Sequence, residues 1–87
     1  MLKIDTSKYY IQTSQVWNDE ESPLVRILSY ESLDYEGGYY LGKYSIIHHH
    51  LGAKGPVRLI VSELEFNKYF RLATDEEITE QLLKWGI

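Results

Sequence analysis

The chain has no cysteine, only two prolines, and no apolar run near the ~18 residues that a membrane-crossing helix requires. Without cysteine there are no disulfides, no thiolate metal ligands and no cysteine nucleophile, and a reducing compartment is compatible. The first ten residues, MLKIDTSKYY, lack the apolar stretch of a secretory leader, so a cytoplasmic protein is expected. A basic excess is also missing. Nine Lys and Arg stand against 13 Asp and Glu, and the net charge of −4 argues against a general nucleic-acid binder. Nucleotide and hydrolase signatures are absent too. The segment LGAKGP (51–56) has two glycines and a lysine without the spacing that cradles phosphate, and Ser45 sits in no G-x-S-x-G turn. No cofactor is expected, and no catalytic residue is assigned.

What remains describes a small globular domain. Eighty-seven residues, 44% hydrophobic, suffice for one modest core, so a single domain over 1–87 is expected. The β-core should occupy about residues 8–66 and a C-terminal helix about 75–85. Strands are predicted for KYYIQT (8–13), LVRILSYES (24–32), YYLGKYSIIHHH (39–50) and VRLIVSELEF (57–66). In the second, Val25 and Ile27 fall on one face, and Leu24, Leu28 and Tyr30 on the other. NDEESP (18–23) reads as a loop, DYEGG (34–38) as a turn and LGAKGP as a hairpin tip, with Gly42 marking a bend.

The period changes after residue 73. Thr74 with Glu77 three residues on forms a capping box, Asp75 to Glu77 load the positive end of the helix dipole, and Gly86 stands at the stop. Ile78, Leu82 and Trp85, with Leu83 beside them, make an apolar stripe expected to dock on the sheet. With Val25, Ile27, Leu59, Val61 and Phe66, that stripe would fill one core. The expected class is α+β, mainly β: a small curved antiparallel sheet or SH3-like barrel of four to five strands, with one C-terminal helix packed on it.

The run of short strands followed by YFRLATDEEITEQLLKW (69–85) resembles small phage- or prophage-encoded accessory proteins, in which a β-core ends in a similar FRLATDEEI segment opening a last helix. The resemblance covers the last third of the chain. It implies a protein that binds host factors or defence machinery in a host cytoplasm, and it transfers no functional residue.

Charge is distributed unevenly. Seven acids lie between Asp5 and Glu36, none between Gly37 and Ser62, and six after Ser62. The acid-free middle carries Lys43, Lys54, Arg58 and three consecutive histidines. On a strand His48 and His50 share a face and His49 opposes them. Two such histidines bind a metal only with further ligands, and Glu63 or Glu65 on the next strand would be poorly placed. No metal site is assigned; adventitious binding at His48 and His50 is the most expected, and the run reads as a partly exposed strand end. Glu63 and Glu65 read as the solvent face of a strand rather than an acid–base pair.

Three functional classes follow. The first is a non-enzymatic protein-binding module, an inhibitor or adaptor with a macromolecular protein partner. Tyr35, Glu36, Tyr39, Tyr40, Lys43 and Tyr44 would form its surface, flanked by the acids Asp19, Glu20 and Glu21, because so many tyrosines exceed what one small core holds. Adjacent on a strand, Tyr39 and Tyr40 would point to opposite faces, one of them into the core. The second is a nucleic-acid-binding β-module, with Tyr39, Tyr40 and Tyr44 stacking on bases and Lys43, Lys54 and Arg58 on phosphates. The third is a self-associating component, with a homodimer formed through exposed aromatics on an edge strand.

Overall fold

A computed structural model describes residues 1–13 and 22–85. Five strands, β1 (Tyr9–Gln12), β2 (Leu24–Ser32), β3 (Lys43–His50), β4 (Val57–Ser62) and β5 (Phe70–Leu72), form one sheet in the order β4-β3-β2-β1-β5. Every pairing is antiparallel. The sheet is open, with β4 and β5 at its edges, and a helix at the C-terminus completes a small α+β fold. The sheet is curved enough that Phe70 of β5 meets His48 of β3 across two intervening strands, ring centroids 5.6 Å apart.

One predicted strand breaks in two. The segment Ser62–Phe66 continues β4 by alternation, yet Ser62 and Glu65 form a reciprocal capping box that opens helix α1 (Glu63–Tyr69). Ser62 Oγ accepts from the Glu65 N–H at 3.1 Å, and Glu65 Oε1 accepts from the Ser62 N–H at 2.8 Å. The helix carries the chain from one sheet edge to the other, where β5 adds beside β1. Its Phe66 is buried, stacks on Phe70 at 4.8 Å and meets Tyr10 edge-on at 5.9 Å.

The core face carries Tyr10, Val25, Ile27, Ile46, Val61, Phe66 and Phe70. The N-terminal segment lays Leu2 and Ile4 over it as well. That segment is held by tyrosine hydroxyls, which accept from the N–H groups of Leu2 (Tyr44, 3.3 Å), Ile4 (Tyr30, 3.4 Å) and Asp5 (Tyr10, 3.1 Å). Tyr30 therefore belongs to the same face as Val25 and Ile27, not to the opposite one. The register slips between Ile27 and Ser29, so Leu28 is the extra residue of a β-bulge and the parity of everything after it reverses.

Helix α2 (Asp75–Lys84) begins at the predicted capping box: Glu77 N–H donates to Thr74 Oγ1 at 3.1 Å and Thr74 N–H to Glu77 Oε1 at 2.9 Å. It does not fill the core. None of its residues is buried, and Leu83 is 79% exposed. It lies instead over one end of the second sheet face, where Ile11 and Leu24 are buried. Ser22 Oγ donates to Gln81 Oε1 at 2.6 Å, and the Trp85 ring occupies the space that a side chain at Gly52 would need. The core stripe expected of α2 is supplied by α1 and the N-terminal segment. Gly86 lies outside the described residues.

Candidate protein-binding surface

The tyrosines expected at a surface divide into two groups. Tyr30 and Tyr44 pack against the core, with their hydroxyls spent on the N-terminal backbone. Tyr35, Tyr39 and Tyr40 fall in the β2–β3 connection, and this corrects the strand predicted from residue 39. Two consecutive 3₁₀ turns, Asp34–Glu36 and Gly38–Tyr40, precede β3, which starts only at Lys43. Gly37 and Gly38, at φ of 63° and 54°, allow the first turn to pass into the second. Alternation therefore does not apply to Tyr39 and Tyr40, and neither enters the core.

The connection is internally bonded. Leu33, fully buried, donates its N–H to the Lys43 carbonyl at 2.9 Å and closes the base. The N–H groups of Glu36, Gly37, Tyr40 and Leu41 each donate to the carbonyl three residues back, at 2.9–3.1 Å. Asp34 Oδ1 accepts from the Gly42 N–H at 2.6 Å across the loop. What this scaffold presents is apolar: Tyr35 is 75% exposed, Tyr39 77% and Leu41 67%. The Tyr39 and Tyr40 rings meet edge-on at 5.3 Å, and Lys43 Nζ stands 5.4 Å from the Tyr39 centroid. The same ammonium donates to Glu65 Oε1 at 3.3 Å, tying the loop to the first turn of α1. Those bonds, the Ser62 N–H first and Lys43 next, hold the Glu65 carboxyl below its ordinary value. Beside Glu65, Leu64 is 80% exposed. Leu41 and Leu64 escaped sequence reasoning, Leu64 because S-E-L-E-F was read by alternation although its Ser62 and Glu65 stand at the same capping-box spacing as the Thr74 and Glu77 that located α2. Glu36 lies in the same loop, and Asp19, Glu20 and Glu21 lie outside the described residues.

The groups weighed for chemistry are placed differently. His48 and His50 are 3% and 5% exposed, in the core layer rather than at an exposed strand end. Their rings pack edge-on at 5.3 Å, and His50 Nδ1 lies 2.8 Å from the Ser22 carbonyl. His49 points the other way, its Nε2 2.9 Å from the Ala53 carbonyl. Glu63 and Glu65 sit on α1, where Glu63 pairs with the N-terminal ammonium at 3.4 Å. Among the described residues no three His, Asp or Glu side chains converge to hold a metal ion. Ser45 Oγ accepts from Arg58 Nε at 2.7 Å, at the edge of an open depression lined also by Ser29, Glu31 and Ile47. The residues proposed for stacking and phosphate contact are split. Lys43 starts β3 and Lys54 follows its far end, so roughly 20–25 Å of strand separates them.

No family model, curated protein or solved structure matches this chain. Among the described residues no helix is long and apolar enough to cross a membrane.

Proposed function

We propose that this protein is a non-enzymatic protein-binding module that presents a pre-shaped aromatic loop to a macromolecular partner. The observation that carries this reading is the pairing of exposure with order. Tyr35, Tyr39 and Leu41 are largely in solvent on a backbone fixed by its own hydrogen bonds. Tyrosine gives a large apolar contact and a polar tip at low entropic cost, and a preordered loop loses little freedom on binding. Lys43 and Glu65 supply a charged rim around that centre. The structural roles of Ser45 and Glu65, each engaged by a neighbouring side chain, favour binding over catalysis. Together with the resemblance to phage accessory proteins, the loop suits an inhibitor or adaptor acting on a host or defence protein in the host cytoplasm.

The test is affinity capture with three baits: the native chain, Tyr35→Ala/Tyr39→Ala, and the control Lys84→Ala. A partner retained by the native chain and the control but lost on the double variant, with melting temperature unchanged, is the expected result. Equal capture by all three baits places the interface elsewhere.

A further inference from the structure

The two sheet edges are unequal. β5 is three residues long and carries Arg71, whereas β4 is six residues long and reads V-R-L-I-V-S. Its single charged side chain is drawn back from the edge, because Arg58 Nε donates to Ser45 Oγ on the neighbouring β3 at 2.7 Å. An aliphatic edge strand of this kind is a template for another strand.

Backbone parity shows which groups are free. In a strand, the N–H and C=O of one residue point to the same neighbour and alternate along the chain. The Lys43 carbonyl accepts from the Leu33 N–H, and the Leu51 N–H donates to the Leu24 carbonyl, so odd-numbered residues of β3 bond β2. Even-numbered ones therefore bond β4. Through the register Tyr44↔Val61, Ile46↔Leu59 and His48↔Val57, the backbones of Val57, Leu59 and Val61 are used within the sheet. Those of Arg58 and Ile60 point outward, and no backbone group among the described residues meets them. The free stretch is bounded on both sides: Pro56 has no N–H, and the Ser62 N–H is taken by Glu65 Oε1.

We infer that β4 pairs antiparallel with β4 of a second copy of this chain, about a two-fold axis through Leu59. A two-fold axis normal to the sheet keeps each face continuous, so residues of equal parity must oppose. Centred on Leu59, the pairing sets Arg58 against Ile60 of the second copy and the reverse. Each pair exchanges two hydrogen bonds, so every free edge group is satisfied. Leu59 then meets Leu59 of the second copy in a non-hydrogen-bonded pair, where side chains approach most closely. Val57, 52% exposed in the single chain, is covered by Val61 of the second copy. The neighbouring registers are worse: centring on Arg58 opposes two like charges, and centring on Ile60 sets Arg58 against the occupied Ser62 N–H. The edge strand itself carries no acidic residue, so no carboxylate of β4 opposes its copy.

Because the chain has no cysteine, a single introduced thiol reads the register directly. Leu59→Cys places two thiols across the axis within disulfide reach, whereas Ile60→Cys places them on the diagonal, ~7–8 Å apart and too far. The expected results are reversible dimerisation by sedimentation velocity between ~10 μM and ~1 mM, and at least about tenfold faster oxidative cross-linking of Leu59→Cys than of Ile60→Cys. A third variant, Ile60→Pro, removes an outward N–H that bonds nothing within the protomer, and should raise the dissociation constant by about tenfold or more. A monomer across the whole range, equal cross-linking of the two cysteine variants, or a dimer indifferent to Ile60→Pro overturns the inference. A monomer that instead takes up an extended peptide of another protein overturns the second copy as the occupant.

Discussion

Arg71 on β5 clasps Glu77 on α2 through two hydrogen bonds, 2.8 Å from Nη1 to Oε1 and 2.7 Å from Nη2 to Oε2. The fork-to-fork geometry joins the edge of the sheet to the first turn of a helix that buries none of its own residues. The Arg71 guanidinium, followed by the Thr74 N–H, holds the Glu77 carboxyl down at about 2. A carboxyl depressed in the fold stabilises fully above its unfolded value near 4.5, and the contribution is lost as pH falls towards 2. Glu77→Gln should therefore lower the melting temperature slightly at pH 7, loosen α2 in amide exchange, and flatten the acid limb between about pH 4.5 and 2. An acid limb identical to that of the native chain would show that the pair contributes nothing.

His48 has the opposite charge logic. Its ring is buried against Phe70 and His50, its Nδ1 has no partner, and burial, then the neighbouring His50, pushes it down to about 4. The unfolded chain takes up a proton near pH 6.5 that the fold refuses until about 4, so stability is full above 6.5 and falls on acidification through that window. His48→Leu should remove much of the loss between pH 6.5 and 4 and cost little at pH 7, where a polar atom without a partner is exchanged for an apolar one. Urea melts at pH 7 and pH 5 decide this; parallel losses in both proteins would exclude His48 as the group responsible.

Gly52 in the β3–β4 hairpin has φ +87°, and a Cβ there would lie 2.6 Å from the Trp85 ring. Gly52→Ala combines a disfavoured backbone with overpacking, for an expected loss of about 1–3 kcal/mol. Because the collision is with an indole at the end of α2, the tryptophan emission should shift as well. An unshifted spectrum with unchanged stability would mean that the ring does not rest on this turn.

The core is tested by contrast. Phe66→Ala should cost about 3–5 kcal/mol, since Phe66 stacks on Phe70 and meets Tyr10. Leu83→Ala should cost no more than about 0.5 kcal/mol, because that side chain is largely in solvent. The reverse order in denaturant melts would restore α2, rather than α1, as the helix that fills the core. Removing the α1 cap with Ser62→Ala adds a further expected loss of about 1 kcal/mol.

Local chemistry wrote part of this fold into the sequence. The bounds of β2, the α2 capping box and the sharing of one face by His48 and His50 depend on residues within a few positions of each other, and each is legible as a pattern. Alternation failed where a nearer signal competed with it: Ser62 and Glu65 satisfy each other's backbone and end the strand, and paired glycines at 37 and 38 turn Tyr39 and Tyr40 out of β3. The candidate surface was legible as a segment but not in its members, because the exposure of Leu41 and Leu64 follows from those two overrides. Tertiary structure alone decided the rest. A single bulge at Leu28 reverses which side of β2 faces inward, β5 pairs with a strand about sixty residues earlier, and tyrosine hydroxyls pin Leu2 and Ile4 over the core. Those choices rest on burial and hydrogen bonds between residues distant in the chain, and such contacts leave no periodic trace in the sequence that makes them.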